Sequence, residues 1–184
     1  GGTLSPSTKM KVGIKAGAFV DIPVAGGFFI QPGAFFSMKG YKSSYSLSFL
    51  GSTASAEYTA SLNYVEIPVN LGYRYTIGNA GSIFVTAGPY LGYAISGKVK
   101  GESFLNGVSQ GKEEEDIDFG SGDEEVKPLD FGLNFSAGYQ LPMGLYVRAQ
   151  YGLGLSNLAN NSGGSFKNRV LAFSLGYAFP IGGN

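Results

Sequence analysis

The sequence predicts an all-β chain: an antiparallel, up-and-down β-barrel that crosses a membrane. Three observations predict it. Long stretches alternate large apolar residues with small or polar ones, and a period of two puts the two sets on opposite faces of a strand. The connections alternate short and long, as in barrels with tight turns at one rim and long loops at the other. The face that carries the charges is also rich in glycine. Glycine suits a crowded interior, whereas a soluble barrel would turn its apolar face inward and its charges outward.

Composition narrows the chemistry. The 184 residues include 30 Gly, 14 Phe and 12 Tyr but no Cys, Trp or His. Without cysteine there is no disulfide framework, thiol nucleophile or thiolate metal site. Without histidine the usual general base and the commonest metal ligand are both missing. Thirteen basic and thirteen acidic residues cancel, so nothing suggests a nucleic-acid partner. No apolar run approaches the roughly 20 residues of a membrane-spanning helix. No signal peptide is visible at Gly1, so an exported protein would be in its mature or trimmed form here.

The elements follow in order. Gly1–Met10 is polar and reads as a loop. From Lys11, Val12, Ile14, Ala16, Ala18, Val20 and Ile22 alternate with Gly13, Lys15, Gly17, Phe19 and Asp21, up to a short turn over Pro23–Gly27. Phe28, Ile30, Pro32, Ala34, Phe36 and Met38 then alternate with Phe29, Gln31, Gly33, Phe35, Ser37 and Lys39. The Ser/Thr-rich stretch Ser43–Ser61 reads as an extended hairpin beyond the wall. Val65, Ile67, Val69, Leu71, Tyr73 and Tyr75 oppose Glu66, Pro68, Asn70, Gly72 and Arg74. After the tight turn Gly78–Gly81, Ile83 to Ile95 alternates with Phe84 to Ser96. Pro68 and Pro89 lack a ladder donor and belong at bulges or unpaired positions.

Gly97–Pro128 is the longest interruption. Its Asn106-Gly107 pair favours a tight hairpin. Leu129 to Leu141 and Leu145 to Leu155 are two more alternating strands, joined at Pro142–Gly144. The polar loop Asn157–Asn168 leads to the last strand, where Leu171, Phe173, Leu175, Tyr177 and Phe179 alternate with Ala172, Ser174, Gly176 and Ala178. That makes one domain over residues 1–184: an opening loop (1–10), a barrel (11–179) and a tail (180–184). Seven strands are visible, although single-chain bacterial barrels have an even number. The expectation is therefore eight, with the first strand ahead of Gly1. A hairpin around Asn106-Gly107 that folds back into the wall is the other option, and its acidity argues against a lipid-facing position.

Two residue sets are candidates for function. Lys15, Lys39, Glu66, Arg74, Asp130 and Arg148 fall on the inward face. The interior of an eight-stranded barrel is just wide enough for side chains to fill, and buried charges need partners. A plugged lumen is expected, with Glu66 bridging to Lys39 or Lys15. Phe28, Tyr73, Tyr75, Tyr139, Tyr177 and Phe179 fall on the outer face near the short turns. There they form the aromatic band typical of a water–lipid boundary.

Other motifs carry little. Glu113–Asp118 with Asp123–Glu125 offers carboxylates that hard cations like, but without the spacing of a calcium loop; charge runs usually are solvated surface. Asp130-Phe131-Gly132 stands without the rest of a kinase signature, and Gly120-Ser121-Gly122 has neither a nucleophile-elbow setting nor a histidine. No carboxylate pair stands out for hydrolysis. No catalytic residue, metal ligand or cofactor is expected.

Several short motifs resemble the small outer-membrane β-barrels of Bacteroidetes, the PorT-like barrels. They are Phe29-Ile30-Gln31-Pro32-Gly33 with Ser37-Met38-Lys39-Gly40, Tyr64-Val65-Glu66-Ile67-Pro68, Ala87-Gly88-Pro89-Tyr90-Leu91-Gly92-Tyr93 and Arg148-Ala149-Gln150-Tyr151-Gly152-Leu153. The resemblance runs from about Val12 to Phe179. It implies an eight-stranded barrel in a Gram-negative outer membrane, with lipid and lipopolysaccharide around it and a larger outer-membrane complex as a candidate partner. It implies no activity, and the link of a few such proteins to type IX secretion does not transfer on these residues. The expected role is a non-enzymatic structural or interaction barrel; the alternative is a narrow channel for small solutes.

Overall fold

The computed structural model describes residues 3–11, 13–49, 51–120, 126–158 and 167–179. Val12, the acids Asp123, Glu124 and Glu125, and the tail from Pro180 lie outside these residues. The described chain forms one antiparallel sheet of ten strands. A single three-residue 3-10 turn, Gly78–Ala80, is its only helical element.

Three segments, β1 (Thr3–Met10), β2 (Lys15–Phe19) and β3 (Ile22–Ala25), pair along one edge of β4 (Phe28–Phe49). They act as one broken strand. β5 (Ser52–Ile77) and β6 (Gly81–Leu105) come next, and β7 (Val108–Asp116) pairs with the upper part of β6 alone. The lower part of β6 pairs with β8 (Leu129–Gln140), followed by β9 (Leu145–Gly154) and β10 (Arg169–Tyr177). Counting β1–β3 once, the wall has seven strands, with β7 an arm outside it. The arm turns at Asn106 (φ 49°) and Gly107 (φ 80°), the two left-handed positions that a tight hairpin turn demands.

β4, β5 and β6 are 22, 26 and 25 residues long. Crossing a bilayer takes only about 9–11 residues of strand. The outer face shows where the crossing ends. On β5 it reads Tyr75, Tyr73, Leu71, Val69, Ile67, Val65 going up, then Asn63, Ser61, Thr59, Glu57, Ser55 and Thr53. On β4 it changes after Met38 to Gly40, Lys42, Ser44, Ser46 and Ser48, and on β6 after Ile95 to Lys98, Lys100 and Glu102. Met38, Asn63 and Ser96 are near neighbours in the register. One apolar-to-polar boundary therefore crosses all three strands at one height. Above it a five-stranded sheet, β1–β4–β5–β6–β7, rises clear of the wall.

The opening residues correct a sequence expectation. Gly1–Met10 reads as a loop, yet Thr3–Met10 is strand, in register from Thr3 opposite Ser48 to Met10 opposite Tyr41. Above the boundary a strand needs no apolar face. The backbone ladder with β4 holds it, and period-two hydrophobicity is absent as a signal. Ser43–Ser61 forms the tall hairpin of β4 and β5, and half of Gly97–Pro128 is strand as well.

The sheet curls so far that β2 meets β9 across the interior, with the rings of Phe19 and Tyr146 5.7 Å apart. It does not close. No ladder joins β10 to the β1–β3 edge among the described residues.

Candidate functional site

Alternation places the six candidate charges. Lys15 lies on β2, Lys39 on β4, Glu66 and Arg74 on β5, Asp130 on β8 and Arg148 on β9. Four of the six meet. Glu66 takes both Lys15 and Lys39, the latter at 3.1 Å. Lys39 also donates to Asp130 at 3.0 Å, which completes a chain of alternating sign, Lys15–Glu66–Lys39–Asp130. Lys39, Glu66 and Asp130 are 5%, 2% and 0% exposed. At such burial a charge is tolerated only when paired and hydrogen-bonded.

Asp130 is the hub. It accepts from Ser156 Oγ (2.8 Å), Asn168 Nδ2 (2.7 Å) and Tyr90 OH (3.3 Å) besides Lys39. Ser156 and Asn168 flank the loop between β9 and β10, so the network ties the upper wall to that loop. Rings cover the cations: Lys39 Nζ lies 4.4 Å from the centre of Tyr90 and 5.0 Å from Tyr64, and Lys15 Nζ 4.9 Å from Phe35. Above the network, Leu62, Tyr64 and Ala94 pack with Ile117 and Phe119 of the segment beyond β7. Leu158 is fully buried, and its carbonyl takes the N–H of Lys127.

The other two inward charges lie lower. Arg74 pairs with Asp21 at 2.5 Å, and Gln31 donates to the other oxygen of Asp21 at 2.6 Å. Arg148 has no carboxylate partner among the described residues, though it is only 7% exposed. Three rings surround it instead: Phe19 at 4.6 Å, Phe84 at 5.2 Å and Tyr146 at 5.5 Å.

The inward glycines have a specific job. Gly17, Gly72, Gly132, Gly138 and Gly176 are the register partners of Phe35, Phe29, Tyr90, Phe84 and Tyr146. A Cβ at any of these glycines would overlap the ring of its partner. Each aromatic thus lies flat across the neighbouring strand, on the one residue with no side chain to obstruct it. Such aromatic cover of strand glycines also fixes register.

Outside, Phe28, Tyr73, Tyr75, Tyr139, Tyr177 and Phe179 lie around the short-turn rim. Phe28 meets Tyr73 at 5.0 Å and Tyr177 meets Phe179 at 4.8 Å between ring centres. The hydroxyl of Tyr139 donates to the carbonyl of Ala80 in the Gly78–Ala80 turn. Two of the described acids of the run pair with lysines. Glu114 meets Lys98 and Lys100, each at 2.6 Å, and Asp116 meets Lys98 at 3.6 Å. No group of three His, Cys, Asp or Glu side chains that could hold a metal ion occurs among the described residues.

Polar interior, apolar exterior and alternating connections all call for one environment, and the comparison with known families agrees. The family model for the outer membrane protein β-barrel domain matches residues 3–160. The chain belongs to this outer-membrane β-barrel family. The protein therefore resides in the bacterial outer membrane, with its apolar outer face against lipid. No curated protein and no solved structure matches it.

Sequence reasoning placed the network residues on the inner face and named the bridge from Glu66 to Lys39 or Lys15, both of which form, but not the links to Asp130. Asp130 is the centre, and its Ser156 and Asn168 partners come from loop ends. Period-two patterning does not reach those. The pairing of ring with glycine is legible in principle, since both lie on the inner face, but only once the strand register is known.

Proposed function

We propose that this outer-membrane barrel is a non-enzymatic structural or interaction protein with a plugged lumen, and that the sheet above the bilayer is its contact surface. The observation that carries this reading is the buried chain Lys15–Glu66–Lys39–Asp130. A conducting pore keeps its charges solvated and mostly of one sign. Here both signs neutralise each other under a layer of apolar side chains. Glu66 and Asp130 are also too buried to meet a substrate, which argues against carboxylate catalysis.

The projecting sheet offers the contact surface. Its inward face exposes Tyr41, Tyr45, Leu47, Tyr58, Leu105 and Val108, while its outward face is Ser, Thr and charged residues. Tyrosine-rich apolar patches with polar surroundings are typical of protein interfaces. Within the family, the motifs around Gln31-Pro32-Gly33, Glu66-Ile67-Pro68 and Gly88-Pro89-Tyr90 favour the PorT-like barrels of Bacteroidetes. That implies a Gram-negative host, a removed signal peptide, lipopolysaccharide at the upper boundary and a partner in a larger outer-membrane complex.

The test is a planar bilayer recording together with cross-linking in native membranes. Absence of steady current, with a discrete cross-linked species from photoreactive groups at Tyr45 or Tyr58, is the expected result. Large stable single-channel currents from the intact protein would revive the channel reading.

A further inference from the structure

The turns of the short-turn rim, residues 26–27, 78–81 and 141–144, contain no charged side chain. At the other end of the wall, lysines stand directly on the apolar-to-polar boundary. Lys11 lies beside Met38, the last apolar residue on the outer face of β4. Its Nζ reaches Met38 Sδ at 3.4 Å and donates to Ser61 Oγ at 2.7 Å. Its stem runs across Gly40, where a Cβ would come within 3.1 Å of it. One row higher, Thr59 of β5 has Lys42 on one side and Lys100 on the other. Neighbouring strands are only about 4.8 Å apart. Three ammonium groups thus surround the hydroxyls of Thr59 and Ser61, and Lys42 and Lys100 both lie close enough to repel Lys11.

The sheet does not supply the matching negative charge. In these two rows Lys98 and Lys100 share Glu114, and Asp116 meets Lys98 at 3.6 Å. Four lysines, at 11, 42, 98 and 100, against these two acids leave two positive charges. Lys11 and Lys42 have no carboxylate partner among the described residues. The next acids, Glu57 and Glu102, stand opposite each other one row farther from the bilayer, and Glu102 is held by Lys112. Directly below the lysines the outer face turns apolar, at Val65 and Ile67, and lies against lipid. A lipid headgroup is therefore what adjoins them, and lysines at a membrane surface attract anionic headgroups.

We infer that the outward face of β4, β5 and β6 above the boundary is a saturable site for a phosphorylated glycolipid of the outer leaflet, with its phosphate on Lys11, Lys42 and Lys100 and its saccharide along the hydroxyls above them. Ammonium groups hold phosphate as point charges, and Thr59 and Ser61 add hydroxyls between them. The long-loop rim faces outward from the cell in such barrels, so the leaflet at this height is the outer one. Above Lys42 the outward face continues with Ser44, Ser46 and Ser48 of β4, opposite Glu57, Ser55 and Thr53 of β5. This ladder rises about 20 Å beyond Lys42. A sugar chain can exchange hydrogen bonds along that height. A phospholipid headgroup ends just above its phosphate and would leave these hydroxyls in water. The inference rests on the outer-membrane placement of the wall, and not on the plugged lumen or on contacts of the inward face.

The test refolds the full chain into phosphatidylcholine vesicles that contain a minor fraction of lipopolysaccharide, and follows the initial acetylation rate of each lysine by mass spectrometry. Parallel vesicles carry dephosphorylated lipopolysaccharide, phosphatidylglycerol of equal total charge, or phosphatidylcholine alone in inorganic phosphate. Expected is protection of Lys11 and Lys42 by intact lipopolysaccharide only, saturating at one glycolipid per chain, with Lys112 unchanged. Lys11→Gln combined with Lys42→Gln should weaken lipopolysaccharide binding about tenfold or more. Lys112→Gln, two rows above Lys98 on the arm, should leave it within about twofold. Ser46→Ala combined with Ser55→Ala should weaken it about threefold or more. Equal protection by phosphatidylglycerol would overturn the glycolipid, and equal protection by inorganic phosphate would reduce the site to an adventitious ion only. Equal protection by dephosphorylated lipopolysaccharide would overturn the phosphate contact. A loss from Lys112→Gln as large as that from the double lysine variant would overturn the site in favour of net charge. Unchanged binding in the double serine variant would overturn the saccharide contact. The labelling pattern of the unaltered chain decides the site even where a variant fails to fold.

Discussion

Lys39 and Asp130 stand 91 residues apart in sequence and 3.0 Å apart inside the barrel. Two strands, β5 and β6, separate their own in the sheet. The contact thus exists only because the wall curls, and it locks the curvature once made. Lys39 is the middle of the chain of charges, since Glu66 keeps Lys15 as a second partner but Asp130 has no other cation among the described residues.

Lys39→Met should therefore be the most costly change in the interior. Breaking a buried pair by removing one partner costs about 3–5 kcal/mol. Glu66→Ala should also destabilise, by leaving Lys15 without its carboxylate. Lys39→Met combined with Asp130→Asn should cost less than the two single changes added together, because no unpaired carboxylate remains at 130. Urea unfolding in detergent, followed by tryptophan-free far-UV circular dichroism, measures all of these. Strict additivity would mean that Lys39 and Asp130 do not interact.

The glycine–ring pairs give a second prediction. Gly72 faces Phe29, and any side chain at 72 displaces that ring. Phe29 in turn covers Arg74. Gly72→Val should cost about 1–3 kcal/mol, as overpacking does. In a Phe29→Ala background the same change should cost markedly less, with a coupling of about 0.5–3 kcal/mol. An identical cost in both backgrounds would show that the backbone, not the ring, sets the limit.

The bilayer boundary at Asn63 is testable by position. Val69→Arg on the outer face of β5 should cost roughly 2–4 kcal/mol near the midplane. Ser55→Arg lies on the same face of the same strand, fourteen residues up, beyond the boundary and between Ser46 and Phe104, with no lysine directly opposite. It should fall within about 0.5 kcal/mol of neutral, as an ordinary surface substitution. Refolding into lipid vesicles at graded urea measures both. Equal costs would put the boundary elsewhere.

How far the sequence could be read follows from what period two reports. Within the bilayer each strand must be apolar on one side, so Val65, Ile67, Val69 and Leu71 against Glu66, Asn70 and Gly72 declare their faces. The inward position of Glu66 and the outer rim position of Tyr75 follow from that alone. Above the bilayer the constraint disappears. Thr3–Met10, with Pro6 and four hydroxyl residues, carries no alternation and was legible as loop only, although eight backbone pairs hold it to β4. The hub at Asp130 was half legible. Its inward position follows from Phe131 and Leu133, but the contribution of Ser156 and Asn168 depends on how a loop folds back. Arg148 gave no hint of its three rings, because Phe19, Phe84 and Tyr146 come from strands whose distances only the curl decides.

The arm formed by β6 and β7 should be sensitive to acid in a defined window. It lies above the boundary, and β7 is exposed along its whole length, so its cross-strand pairs matter more than they would in a core. Hydrogen bonds from Lys100 and then Lys98 hold the Glu114 carboxyl down from its ordinary 4.5 to about 2. The hydrogen bond to Glu114, first of all, pushes Lys98 up from 10.5. A carboxyl depressed on folding stabilises the folded arm above its unfolded pKa and stops doing so as pH falls through its folded value. For Glu114 that window runs from about 4.5 down to about 2. The Lys98 contribution is complete below 10.5 and is lost only as pH rises through its raised value. Protection of the amides of Val108–Asp116, corrected for the pH dependence of intrinsic exchange, should therefore be flat across neutral pH and fall between pH 4.5 and 2, while β8 and β9 stay unchanged. Salt near 1 M should weaken it at neutral pH as well, because the screening length there is only about 3 Å. Glu114→Gln should remove most of both responses. An arm whose protection in the variant still falls over the same acid window would owe that response to its other carboxylates, Asp116 beside Lys98 and Glu102 beside Lys112, rather than to Glu114.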